Sequence, residues 1–124
     1  MASRLARIVL SKRVTIVSFN TSIQGLLDQL QQHLKALYGE RLCKVMLFGS
    51  HARGEARPDS DVDILVVLQG TVNPGQEVIR SSEFLAELAL EYDKVISCLF
   101  MDELRFMTRQ GPLLRNIRKE GIAI

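Results

Sequence analysis

With 124 residues, of which 47% are hydrophobic and 24% charged, the chain has room for one domain with a substantial core. A formal net charge of +2 gives no ground for a nucleic-acid partner, and two cysteines without Cys-x-x-Cys or Cys/His spacing give none for zinc. Cys43 and Cys98 read as free core thiols in a reducing compartment. The apolar runs fall far short of the ~20 residues that span a bilayer, and Ser11-Lys12-Arg13 interrupts Ile8-Val9-Leu10 before a secretory core can form. The expected location is the cytoplasm, with no membrane contact.

Residues 1–20 read as an extension to a domain over 21–124. Arg4, Arg7, Lys12 and Arg13 crowd this extension, with no acid before Asp28, as in a solvated tail. Val14-Thr15-Ile16-Val17-Ser18-Phe19 is β-branched and reads either as an edge strand or as mobile chain. Asn20-Thr21-Ser22 offers N-cap residues to an amphipathic helix. In it Ile23, Leu26, Leu27, Leu30, Leu34 and Leu37 recur at helical spacing, and Gly39 marks the stop. His33 falls off that stripe and reads as an exposed polar residue.

Leu42 to Phe48 is a nearly continuous apolar run, as in a strand covered on both faces. Gly49-Ser50 breaks it, Ser50 to Gly54 suits a short helical turn, and Glu55 to Ser60 reads as a loop marked by Pro58. A second strand is expected from Asp61 to Leu68. A second amphipathic helix follows, with Val78, Ile79, Phe84, Leu85, Leu88 and Ala89 inward and Tyr92-Asp93 at its close. Val95 to Phe100 is a third strand, and Asp102 is the N-cap of a helix over Glu103–Arg109. After Gly111-Pro112, a last short helix carries Leu113, Leu114 and Ile117. The tail Ile122-Ala123-Ile124 suits either an ordinary edge strand or an interface, which leaves a homo-oligomer open.

Leu47-Phe48-Gly49-Ser50 and Ser60-Asp61-Val62-Asp63 carry the chemistry. Strand residues two apart share a face, so Asp61 and Asp63 project side by side. Two adjacent carboxylates repel each other and are costly to desolvate without a cation. Mg²⁺ is the usual compensation, held by one or two carboxylates together with substrate phosphates. The Gly-Ser turn can bring backbone N–H groups against the same phosphates.

At this spacing the two halves resemble the signature of the DNA polymerase β-like nucleotidyltransferase superfamily. The match is closest to its minimal nucleotidyltransferases of bacteria and archaea and covers residues 46–68. The resemblance implies an α/β (α+β) fold, a small mixed sheet flanked by helices. It implies that Gly49 and Ser50 bind the β- and γ-phosphates of ATP, that Asp61 and Asp63 hold Mg²⁺ as catalytic metal ligands, and that Arg53 neutralises phosphate charge. It also implies a third carboxylate from a later strand. Here the inward polar residue of that strand is Ser97, and Asp93 takes the role if the strand begins a residue or two early. A site with no third carboxylate is the other alternative.

Two functions follow from the resemblance. One is Mg²⁺-dependent transfer of AMP from ATP to a hydroxyl, as in minimal members that act as antitoxins by modifying a tyrosine of a helical HEPN-domain toxin. The other is a degenerate module that binds nucleotide or neutralises such a partner by contact alone. Antibiotic-modifying and template-using members carry further domains or a basic groove, neither of which is expected here.

Overall fold

Leucines three and four residues apart give the first helix, α1 (Val14–Tyr38), a single apolar stripe. The computed structural model describes the backbone of residues 14–124 and the side chains of residues 23–124. Within it α1 buries Leu26, Leu27, Leu30, Leu34 and Tyr38. The backbone over Val14–Phe19 is helical rather than an edge strand, and Asn20-Thr21-Ser22 lies inside the helix rather than at its cap. Local β-propensity is a weak preference that context overrides, and β4 already occupies the outer side of the strand that follows. The basic cluster Arg4 to Arg13 lies outside the described residues.

After a 3-10 turn at Gly39–Arg41, β1 (Leu42–Phe48) leads into the four-residue turn of helix α2 (Ser50–Arg53). Next come β2 (Val62–Leu68), α3 (Pro74–Tyr92), β3 (Ile96–Asp102), α4 (Glu103–Thr108), α5 (Pro112–Glu120) and β4 (Ile122–Ala123). The sheet order is β3-β2-β1-β4. β1 runs antiparallel to β2 and β4, whereas β3 lies parallel to β2 through the crossover helix α3. The tail is thus an edge strand, with Ile122 opposite Leu47.

The β2 side chains divide the core. Val62, Ile64, Val66 and Leu68 face α1 and α3, and Leu65 and Val67 pack with Phe106, Leu114 and Ile117 of α4 and α5. Fully burying each such aliphatic side chain contributes roughly 1.5–3 kcal/mol. Gly49, Asp61 and the start of β3 therefore share one end of the sheet, set by where β1 ends and β2 begins.

Two side-chain expectations are corrected. On α3, Val78 and Ile79 point outward, 47% and 74% exposed, and the inner stripe is Glu77, Ser81, Leu88 and Tyr92 with Phe84 and Leu85 partly covered. Glu77 tolerates burial because Tyr38 Oη donates to it at 2.5 Å and Arg80 Nε at 2.9 Å. His33 is half-buried and stacks on Phe84, with ring centroids 3.7 Å apart and planes 2° from parallel. Its Nε2 is buried without a hydrogen-bond partner among the described residues, and burial lowers the pKa, favouring the neutral ring.

Candidate active site

β1 ends at Phe48, and Gly49 follows with φ 78° and ψ −155°, a region open essentially only to glycine. Its carbonyl accepts from the N–H groups of Ala52 and Arg53, both at 3.1 Å, which turns the chain into α2. The register of the antiparallel pair sets Phe48 opposite Asp63. As a result the Asp63 carboxylate lies directly over Gly49. A Cβ at Gly49 would collide with Asp63 Oδ2 and come within 3.2 Å of Cγ. Two stretches of the motif separated in sequence are thus one packed unit in space.

Asp61 immediately precedes β2 and is exposed, whereas Asp63 lies one residue into the strand and is half-buried. The loop before them is fixed by its own bonds. Ser60 Oγ accepts from the Arg57 N–H at 2.8 Å, and Lys94 Nζ donates to the Pro58 carbonyl at 2.7 Å. Burial, and next the charge of Asp61, push the Asp63 carboxyl above its usual range, outweighing His51 and Arg53, which pull the other way. The pair is electrostatically frustrated as it stands.

Of the residues expected at the site, Gly49, Ser50, Asp61 and Asp63 come together. Arg53 sits one turn from Gly49 but is already engaged. It pairs with Glu55 at 3.0 Å and approaches Glu120 of α5 at 3.7 Å. Gly49, Arg53 and Glu120 border a recess of about 220 Å³ between the turn and α5, walled by Phe48, Leu113 and Ile117. His51 Nε2 lies 3.5 Å from the Ser60 carbonyl.

Asp93 is not brought to the pair. It caps α3 in the left-handed conformation, φ 54°, and β3 begins only at Ile96. An early start to the strand would have placed Asp93 in the ladder, but the helix runs on to Tyr92 and uses Asp93 as its stop. The β3 residue in register with Asp63 is Ser97, whose side chain shares its face. Asp102 is the N-cap expected of it, accepting from the Arg105 N–H at 2.8 Å. Among the described residues no group of three His, Cys, Asp or Glu side chains is placed to hold a metal ion. Two carboxylates of raised mutual repulsion still fit Mg²⁺, which needs only one or two from protein when phosphates complete its shell.

The sequence pattern of the nucleotidyltransferase domain family matches residues 27–124. A Methanocaldococcus jannaschii protein named as a protein adenylyltransferase is 35% identical over 89 residues, covering 71% of this chain and 83% of its own length. Protein adenylyltransferase MntA of Thermococcus cleftensis is 46% identical over a shorter stretch of 44 residues, 36% of this chain and 42% of MntA. Among solved structures, a nucleotidyltransferase of Sulfolobus solfataricus superposes with a TM-score of 0.60 at 22% identity, over 85% of this chain and 83% of that one. A chain from the complex of a tri-AMPylated Shewanella oneidensis HEPN toxin with its MNT antitoxin gives 0.51 at 20% identity, over 81% and 69%. The match over most of the chain and the geometry of Gly49 with Asp61 and Asp63 agree: this chain belongs to the nucleotidyltransferase domain family.

Proposed function

We propose that the protein transfers AMP from ATP to a hydroxyl of a partner protein in a Mg²⁺-dependent reaction. The partner is a small helical toxin of the HEPN type, the acceptor one of its tyrosines, and the role that of an antitoxin in the cytoplasm. The observation that carries the reading is the packing of Gly49 against Asp63, which ties a phosphate-binding turn to a carboxylate pair. Support for the acceptor comes from the relatives named as protein adenylyltransferases and from the HEPN toxin complex.

Each residue then has a task. Gly49 and Ser50 receive the β- and γ-phosphates along the turn into α2. Asp61 and Asp63 hold Mg²⁺, which supplies charge stabilisation to both the attacking and the leaving oxygen. The acceptor oxygen bonds to the α-phosphorus as the bond to pyrophosphate breaks. Arg53 reaches phosphate by exchanging Glu55 and Glu120 for the triphosphate, so its contribution follows nucleotide binding rather than preceding it. Most of the remaining work is positioning and electrostatics.

The serine at position 97 favours a second reading. With Ser97 rather than a carboxylate in register beside Asp63, the described residues place no third acidic group there to take the acceptor proton. In this reading the protein binds the metal–nucleotide complex and neutralises its partner by contact. Incubation with labelled ATP, Mg²⁺ and the product of the neighbouring gene separates the two. A labelled partner is expected. An intact complex on gel filtration with no label would sink the enzymatic reading and leave the binding module.

A further inference from the structure

The pair of helices α4 and α5 carries positive charge that the rest of the chain does not answer. Between Leu104 and Lys119 lie five basic residues, Arg105, Arg109, Arg115, Arg118 and Lys119, and all 14 acids of the chain fall outside that stretch. The five are exposed. Of them only Arg105 pairs with a carboxylate, Asp102 at 3.4 Å. The other acids that flank the two helices are turned elsewhere: Glu103 lies beside the Cys43 thiol, and Glu120 reaches Arg53 at 3.7 Å. Arg109, Arg115, Arg118 and Lys119 pair with no carboxylate among the described residues. Residues 1–22 contain no acid that could supply one.

Apolar side chains lie among these cations. Leu104 and Met107, one turn apart on α4, are 72% and 68% exposed, and Leu113 at the start of α5 is half-exposed. Arg118 joins the two helices, with its guanidinium over the Phe106 ring at 5.5 Å and its Nη2 donating to the Arg109 carbonyl. The helix dipole favours Arg118 and Lys119 in the last turn of α5. It accounts neither for Arg115 nor for the apolar side chains left outside. The location matters as much as the charge. Leu65 and Val67, which α4 and α5 cover, lie on the same face of β2 as Asp63. Leu113 and Asn116 of α5 also wall the recess beside Gly49.

Unpaired cations interleaved with apolar side chains suit a partner that is acidic and also offers apolar contact. The one aromatic residue of the stretch, Phe106, is buried beneath Arg118, so no exposed ring is available for a nucleic-acid base to stack on. Leu114 and Ile117 of α5 are held in the core, so the helix has no free apolar stripe to enter a lipid surface. We propose that the outer face of α4 and α5 docks the acceptor protein through an acidic segment. Its carboxylates meet Arg109, Arg115 and Lys119, and an apolar side chain rests on Leu104 and Met107. The segment would hold the acceptor hydroxyl on the face from which Asp63 projects. The inference rests on the reading that the acceptor is a protein.

The probe is a fluorescein-labelled peptide in which one Leu and one Tyr lie among glutamates, read by anisotropy with the full chain. Binding that weakens with salt is expected. Arg115→Glu with Lys119→Glu weakens it at least ~10-fold, and Leu104→Ser with Met107→Ser at least ~3-fold, with Mg–ATP affinity unchanged in both. Lys35→Glu with Lys44→Glu makes an equal change of charge on α1 and β1 and leaves the peptide Kd where it was. A Kd moved as far by the Lys35 and Lys44 changes, or unmoved by the Leu104 and Met107 changes, reduces the docking to attraction between opposite charges and overturns it. Loss of Mg–ATP affinity on changing Arg115 and Lys119 assigns those cations to the nucleotide and overturns it too. So does an oligoribonucleotide of the same net charge that binds more tightly than the peptide. Label transfer to a protein acceptor that survives both α4–α5 variants overturns the docking and leaves adenylyl transfer standing. Variant-sensitive peptide binding without transfer to any acceptor supports the docking face and sinks the transferase reading alone.

Discussion

The two ends of the sheet treat a buried carboxylate in opposite ways. At the end where β1 begins, Glu77 is 4% exposed, yet its two donors outweigh the cost. Burial alone would raise its pKa, but the Tyr38 hydrogen bond and Arg80 hold it below the ordinary carboxylate range. At the other end, Asp63 is less buried and less provided for. Burial and Asp61 leave its pKa raised. Glu77 is an acid the fold has satisfied, and Asp63 is an acid whose charge burial and Asp61 disfavour. Strain concentrated at one end while the other is fully paired marks the end where a ligand belongs.

Removing the frustrated pair breaks the contrast most severely. Asp61→Asn with Asp63→Asn is expected to weaken Mg–ATP binding by at least ~100-fold, about 2.8 kcal/mol, by isothermal titration calorimetry. The fold should survive and even gain. A raised folded pKa means the native protein binds a proton more tightly than the unfolded chain, so Asp63 lowers stability above that pKa and the penalty fades as pH falls. Asp63→Asn without metal should therefore melt higher than the parent at pH 7, with the gap closing toward the ordinary aspartate value of 3.8. A lower melting temperature at pH 7 would show that the pair is not frustrated.

Gly49→Ala tests how tightly the turn and the pair are joined. The backbone strain alone is worth about 1–3 kcal/mol, and the new Cβ must also displace the Asp63 carboxylate. Loss of stability together with loss of nucleotide binding is expected. Gly54→Ala serves as the control. It also has a positive φ, 74°, but a Cβ there meets nothing within 4 Å. It should cost only the ~1–2 kcal/mol of a left-handed residue and leave nucleotide affinity intact. Equal affinity losses in both variants would uncouple the turn from the carboxylates.

The juxtaposition of Gly49 with Asp61 and Asp63 was legible in the sequence because the parts are local: a glycine–serine break after an apolar run, then two acids at strand spacing. What lay beyond reach depended on partners distant in the chain. The burial of Glu77 has no local sign in the sequence, since nothing near it announces Tyr38, 39 positions earlier. On α3 it is Glu77 that faces inward, with Val78 and Ile79 exposed. His33 was misread for the same reason, because its cover, Phe84, comes from another helix. Asp93 turns on a boundary: two residues, Lys94 and Val95, separate it from β3, and alternation cannot be counted from a strand whose start is unknown.

At the satisfied end, Tyr38→Phe removes one donor from Glu77 and should cost about 1.5 kcal/mol by urea unfolding at neutral pH. The sign of its pH dependence is opposite to that of Asp63. A depressed folded pKa stabilises above the unfolded value and is lost as pH falls through the folded one. The difference between parent and variant should therefore be full at pH 7 and shrink below the ordinary glutamate value of 4.5. A gap that widens in acid would mean that Glu77 is protonated in the native state.

Ser97→Asp sharpens the contrast from the other side by adding the carboxylate that the register offers and the sequence withholds. Ser97 lies beside Asp63 on the same face and is exposed, so the change needs no repacking. A third negative charge raises the repulsion at an end that already has too much. The metal-free protein should lose about 1 kcal/mol, a few degrees in melting temperature. Mn²⁺ should restore that loss, because a third acidic ligand binds a hard divalent ion more tightly than a pair does. The readout is the melting temperature with and without Mn²⁺, together with Mn²⁺ affinity by electron paramagnetic resonance. If the substitution destabilises the protein and added Mn²⁺ recovers nothing, position 97 does not face the ion, and the site is confined to Asp61, Asp63 and the phosphates they hold.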